Sequence, residues 1–291
     1  MVFTLITLDQ HDQGLRSIST YLKKRDIPVR MVSFNRVARA YTNEELLQLK
    51  ELLVDSILIG ISFRWVSLEN AVFLYNYLKP LGIPIIVGGQ SAISCPEKMS
   101  DLFDMVCITE GEAVCNEAYQ RIRTGQSLSG IEGMYYPKEQ SAIPFRRKIV
   151  DLNMDLDYTC DDEHYLFDDG KLRKVAIPAS LLSENDVFFN KSLFFMTSRG
   201  CTFNCSYCIN NIVREFLPFR RKPMMKAIEE LHDVICAYPE IESVAFFDDD
   251  LFMRSNDELE IFAKMYRKLI GLPFFSYGCP TTVNEKKLKL L

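Results

Sequence analysis

Ile83-Pro84-Ile85-Ile86-Val87-Gly88-Gly89-Gln90-Ser91 is a short β-branched run that ends on paired glycines and opens into polar, helix-compatible sequence. The run is too short for a helix and unbroken by polar residues, which suits a strand buried on both faces. Four further runs of this kind precede or follow it, at 2–8, 27–34, 55–61 and 104–108, and segments with helical spacing lie between them. Thr42-Asn43-Glu44-Glu45 reads as a capping box that starts one of those helices, whose apolar face is Leu46, Leu49 and Leu53. Leu68, Val72, Tyr75 and Leu78 form the face of the next, and Lys79-Pro80-Leu81-Gly82 ends it. Strands alternating with helices predict a doubly wound, five-stranded parallel sheet over residues 1–125, a Rossmann-like α/β domain.

In such a sheet a ligand lies beyond the carboxyl ends of the strands. Asp9 to Gly14, Ser62-Phe63-Arg64, Gly88 to Ser91 and Thr109-Glu110-Gly111-Glu112 therefore become candidate binding segments. Gly88-Gly89 is either a close backbone approach to a ligand or only a tight turn.

Composition frames the whole chain. Its 291 residues, 48% apolar and 25% charged, suit about two domains at ~150 residues each. No apolar run approaches the ~20 residues of a membrane span, and Val2 to Leu8 lacks the flanks of a signal peptide. Nine cysteines in a chain without a secretory signal predict a reducing, cytoplasmic setting. The net charge of −5 resides between 131 and 190, where 7 basic residues face 12 acidic ones. No broad basic face exists for nucleic acid. The interval 126–190, with Gly130, Gly133, Pro137, Pro144, Gly170 and Pro178, reads as a linker carrying one short hairpin at Gly133–Pro137 and Ile143–Arg146. Its Asp151–Asp169 acidic stretch reads as solvated surface, and His164 and Cys160 lack ligand spacing.

Residues 191–291 hold the most specific pattern, Cys201-Thr-Phe-Asn-Cys205-Ser-Tyr-Cys208, directly after the apolar run Leu193–Met196. Three thiols in eight residues suit an iron-sulfur cluster with one iron left open; a structural zinc needs a fourth ligand, for which His232 is the available side chain. Unliganded thiols are the third alternative. Helices at 223–237 and 256–270, strands at 241–247 and 273–277, and a capping box at Ser255–Glu258 follow. These predict parallel strand-helix units with Cys201–Cys208, Asp248-Asp249-Asp250 and Gly278-Cys279-Pro280 all at carboxyl ends of strands. The aspartates are either site groups, conceivably for magnesium, or a solvated turn.

The Cys-x3-Cys-x2-Cys motif with Tyr207 before its last cysteine, and the lead-in Thr197-Ser198-Arg199-Gly200, resemble radical S-adenosylmethionine enzymes that carry an N-terminal cobalamin domain. The Gly-Gly after the fourth strand and Glu110-Gly111 before the last helix of 1–125 match that domain as well. The resemblance implies a 4Fe-4S cluster on Cys201, Cys205 and Cys208, with S-adenosylmethionine on its open iron. Tyr207 would then lie near the adenine and Asp248, Asp249 and Asp250 near the methionyl amine. Cobalamin would contact Gly14, Ser62, Gly88, Gly89, Glu110 and Gly111. Asp9-x-His11-x-x-Gly14 matches the form of the family whose histidine ligates cobalt, although Phe63-Arg64 after Ser62 departs from the family's small apolar pair.

The implied activity is reductive cleavage of S-adenosylmethionine to a 5′-deoxyadenosyl radical, with methyl transfer to, or rearrangement of, an unreactive carbon in a small-molecule substrate. Ferredoxin or flavodoxin would supply the electron. A non-catalytic cluster or cobalamin sensor is the alternative, as is a fragment inactive by itself. At about 30 residues per strand-helix unit, the 101 residues from Lys191 to Leu291 hold about three units, so 191–291 is expected to be the N-terminal half of a radical S-adenosylmethionine barrel, cut within it.

Overall fold

The computed structural model describes residues 1–8, 12–34, 41–99, 101–139, 149–152, 163–168, 170–175 and 191–291. The chain divides into two compact units, residues 1–150 with 161–179, and residues 151–160 with 180–291.

In the first unit the order is β1 (Val2–Thr7), α1 (Gln13–Lys23), β2 (Val29–Phe34), α2 (Asn43–Leu52), β3 (Ser56–Ser62), α3 (Leu68–Leu78), β4 (Ile85–Gly88), α4 (Gln90–Ser94), β5 (Val106–Cys107) and α5 (Gly111–Arg123). β6 (Met134–Tyr135), β7 (Glu163–Asp168) and β8 (Lys171–Lys174) complete it. The five expected strands stand in the order β5-β4-β3-β1-β2 and all run parallel. Both faces are covered, because alternate strand residues enter different cores. Ile6, Val32, Ile59 and Ile61 meet Leu46, Leu49 and Leu74 of α2 and α3. Phe3, Leu5, Met31 and Leu58 pack with Leu15, Leu22, Val114 and Ala118 of α1 and α5. The capping box of α2 forms: Glu45 N donates to Thr42 Oγ1 at 3.1 Å and Thr42 N to Glu45 Oε2 at 2.8 Å.

The sheet is wider than expected. β6 joins β5 antiparallel, and β7 adds to the other side, parallel to β2, with β8 antiparallel beyond it. Residues 126–190 are therefore more than a linker, and the second half of the expected hairpin lies outside the described residues. β7 is held by polar chemistry: Arg30, buried on β2, forks onto Asp55 at 2.6 and 3.0 Å and reaches Glu163 at 3.3 Å. His164, fully buried, bonds Ser33 Oγ through Nε2 at 2.8 Å.

The second unit runs β9 (Ser192–Phe195), β10 (Ser198–Arg199), α6 (Ile209–Val213), β11 (Arg220–Arg221), α7 (Met224–Ala237), β12 (Ser243–Phe246), α8 (Asn256–Leu269), β13 (Phe274–Ser276) and α9 (Glu285–Leu290). β9, β12 and β13 form a parallel sheet with β12 in the centre, as the spacing predicted. Phe246 sits edge-on to Phe262 and Phe274, at ring centroids of 5.4 and 5.7 Å, tying β12 to α8 and β13. Ser255 and Glu258 form the second capping box. Among the described residues no helix is long and apolar enough to cross a membrane.

Candidate functional site

In the first unit the strand order reverses between β1 and β3, and a crevice opens at such a point beyond the carboxyl ends of the strands. The turn after β4 is forced to be glycine. Gly89 has φ +101°, and a Cβ there would stand 2.5 Å from the Phe63 carbonyl oxygen and 3.2 Å from Ser62 Oγ. The β4 turn thus presses against the end of β3, which accounts for the Gly-Gly without reference to any ligand. Gly88 is looser, 3.5 Å from Cys107 Cβ.

Nearby chain ends carry polar groups in need of partners. Ser91, in the first turn of α4, is fully buried, and its hydroxyl has no hydrogen-bond partner among the described residues. Gln13, which starts α1, is 7% exposed, and neither end of its amide is paired among those residues. Sequence reading passed over both, since neither residue belongs to a recognisable motif; their signal is position, one or two residues after a strand-end turn. Buried orphan polar groups are costly in a folded protein. Here they suit a polar ligand at this edge of the sheet.

The other candidates are engaged in the fold. Asp12 caps α1 by accepting Leu15 N at 2.9 Å, and Gly14 lies in the first turn of that helix rather than in a loop. Glu110 accepts Val150 N at 2.8 Å, and the neighbouring Glu112 accepts the Ser17 hydroxyl at 2.9 Å. Gly111 packs on Ile18. His11 lies outside the described residues.

In the second unit the loop after β9 carries Cys201, Cys205 and Cys208, all partly exposed. Its root is braced by a buried network centred on Thr197. The Thr197 amide and hydroxyl donate to Asp248 at 3.0 and 2.7 Å, and Ser198 Oγ donates to the same carboxylate. Arg254, 2% exposed, donates to the Thr197 carbonyl at 3.0 Å and to the Lys222 carbonyl at 3.1 Å. Gly200, at φ +81°, threads past the Pro218 carbonyl oxygen, which would be 3.3 Å from a Cβ.

The three aspartates part company here. Asp248 is buried and its oxygens are taken up by Thr197 and Ser198; burial raises its pKa, against those bonds and the Arg254 charge. Asp250 is buried too: it accepts Phe252 N at 2.8 Å, Thr282 Oγ1 at 2.6 Å and Cys279 N at 3.2 Å. The expectation that all three face a ligand is corrected, because those two carboxylates hold the chain ends of β9, β12 and β13 together. Only Asp249 points to solvent; partial desolvation and the Asp248 charge raise its pKa, and a hydrogen bond with Asn210 opposes them.

Tyr207 is 90% exposed. Its hydroxyl is hydrogen-bonded to Cys205 and lies within electrostatic reach of Cys208 and Cys279. The Cys201 thiol has its pKa raised by burial and by the nearby charges of Asp249, Cys208 and Asp250. Among the described residues no three His, Cys, Asp or Glu side chains converge closely enough to hold a metal ion. The three thiols are thus gathered on one loop but not drawn together. His232 lies elsewhere, on α7, 3.5 Å from Cys236. The donor set fits an iron-sulfur cluster in kind: three thiols, an anchored loop root and no fourth ligand in the motif.

No family model matches the chain. An uncharacterised methyltransferase of Pyrococcus horikoshii is 23% identical over 246 residues, covering 81% of this chain and 49% of that protein. The chain therefore spans about half the length of the curated relative it matches. Among solved structures, the radical S-adenosylmethionine methyltransferase TsrM of Kitasatospora setae, with cobalamin and a 4Fe-4S cluster bound, aligns over all of this chain and 56% of its own, at 14% identity and a TM-score of 0.72. Its complex with tryptophan and a S-adenosylmethionine analogue gives 0.75 at 15% identity, over 57% of that chain. The cobalamin-dependent radical enzyme OxsB, with aqua-cobalamin and S-adenosylmethionine, gives 0.70 at 16% identity, over 99% of this chain and 41% of that one. These likenesses establish the mixed α/β fold with its parallel-rich central sheet.

Proposed function

We propose that the chain is the cobalamin-binding and cluster-binding portion of a radical S-adenosylmethionine methyltransferase acting on a small molecule. The observation that carries this reading is the Cys201–Cys208 loop, which leaves the carboxyl end of a parallel strand and whose root is fixed by Asp248, Thr197 and Arg254. When bound, a 4Fe-4S cluster would supply a low-potential electron and an open iron, and cobalamin a metal that carries a methyl group.

The chain's own residues do the rest. Cys201, Cys205 and Cys208 would hold the cluster. Asp249 is the carboxylate placed to attract an ammonium group, and Tyr207 offers an aromatic face to the adenine. Asp248 and Asp250 act as positioning residues rather than contacts. In the first unit Ser91 and Gln13 would donate to and accept from the polar tail of cobalamin, while Gly88-Gly89 keeps the β4 turn free of side chains. His11 would ligate cobalt. An acidic electron-transfer protein such as ferredoxin or flavodoxin would supply the electron.

The test is anaerobic reconstitution of the 291-residue chain with iron and sulfide, followed by reductant, S-adenosylmethionine and methylcobalamin. Iron uptake that disappears in the Cys201→Ala, Cys205→Ala and Cys208→Ala variants, with S-adenosylmethionine consumed, supports the reading. Bound zinc without iron would sink it. A full cluster with S-adenosylmethionine left intact would instead mark a non-catalytic binding protein.

A further inference from the structure

Four thiols, not three, gather at the carboxyl ends of the second unit's strands. Cys279 follows β13, which is separated from β9 by β12, a distance of roughly 10 Å between strand axes. The exposed Tyr207 side chain bridges the gap: its hydroxyl bonds Cys205 and lies within electrostatic reach of both Cys208 and Cys279. Asp250 makes the same connection from below, because it binds the Cys279 amide at 3.2 Å and lies within electrostatic reach of Cys201.

Cys279 is held more firmly than this neighbourhood alone requires. Its carbonyl accepts Thr282 N and Thr282 Oγ1, both at 2.9 Å, and Val283 N at 3.0 Å. Gly278 has no room for a side chain: a Cβ there would meet Phe252 and Val283 at 2.7 Å each. Both backbone polar groups of Cys279 are thus fixed, and its partly exposed thiol touches only the Thr281 hydroxyl, at 3.2 Å, among its printed neighbours. A fixed thiol beside a three-thiol loop has the chemistry and the placement of a ligand.

We propose that Cys279 is a fourth thiolate ligand, bound to the iron that Cys201, Cys205 and Cys208 leave open until S-adenosylmethionine displaces it. This rests on the cluster reading above. On binding, the Cys279 thiol gives its proton to solvent and forms an iron–sulfur bond. On displacement that bond breaks, the amino and carboxylate groups of S-adenosylmethionine take its place, and the thiolate regains a proton. No electron is transferred in either direction. The arrangement would cap the reactive iron against water and oxidant while no S-adenosylmethionine is present.

The experiment compares the 291-residue wild type with Cys279→Ser, Cys279→Ala and the triple alanine variant of the loop cysteines, all reconstituted anaerobically with ferrous iron and sulfide. Iron content and paramagnetic resonance are read before and after ferricyanide, and S-adenosylmethionine binding is titrated; circular dichroism checks that each variant is folded. The wild type is expected to keep about four irons through oxidation, and the Cys279 variants to fall to about three with a severalfold larger three-iron signal. The variants should also bind S-adenosylmethionine severalfold more tightly, having no thiolate to displace. A loaded wild type whose iron loss, signal and affinity match both Cys279 variants overturns the inference and leaves the cluster reading intact. A wild type with no more iron than the triple variant overturns both.

Discussion

Gly89 and Thr197 carry the tightest local constraints in their units, for different reasons. At Gly89 the constraint is steric: positive φ together with a carbonyl oxygen 2.5 Å from any Cβ. Gly89→Ala should therefore destabilise the first unit by about 2 kcal/mol or more, read as a lower urea midpoint. At Thr197 it is polar, since one residue serves Asp248, Arg254 and the Lys222 amide. Thr197→Val keeps the shape and removes the hydroxyl, leaving buried partners short of a bond. About 1–3 kcal/mol of stability should be lost, with reduced iron retention as the loop root loosens. The sequence made local devices plain at this scale. Thr42 with Glu45, Ser255 with Glu258, and the three-cysteine motif each span a few residues, so their partners are visible in the text. The division of labour among Asp248, Asp249 and Asp250 was hidden because it is decided by Thr197 and Thr282, 51 and 32 positions from their respective aspartates.

Among the elements, β7 shows where periodicity stops being informative. Glu163-His-Tyr-Leu-Phe-Asp168 sits in an acidic, proline-bearing interval whose composition suggests solvated chain. What recruits it to the sheet is Arg30, Ser33 and Phe34 of β2, the last stacked on Phe167 at 4.4 Å. The helices and the five core strands, by contrast, were readable because each carries its own apolar repeat. The recruitment has an acid-sensitive component. Burial, with Arg16 and Lys23 adding to it, lowers the His164 pKa from 6.5 to about 3. The folded state therefore keeps His164 neutral, while the unfolded chain binds a proton below about pH 6.5. Stability from this residue is full above that pH and is lost as pH falls from 6.5 towards 3. The loss should reach roughly 2 kcal/mol at pH 5. His164→Gln, which keeps a partner for Ser33 but does not titrate, should flatten urea midpoints measured between pH 7 and 5. An unchanged slope would remove His164 as the cause.

For the molecule as a whole, the addition of β7 to the sheet sets an order of events during synthesis. β2 is buried along its whole length, yet its outer neighbour arrives late, the Ser33–His164 bond joining positions 131 residues apart. Contacts that span so much chain form slowly, and until they do an apolar parallel strand shows a bare hydrogen-bonding edge. The five core strands are already complete by residue 107. A nascent chain therefore passes through a stage in which its sheet is assembled but open on the β2 side, and that stage is where it is most exposed to pairing with a neighbour. A chain ending at residue 150 would be held at that stage, and light scattering should find it associating where the 291-residue protein does not.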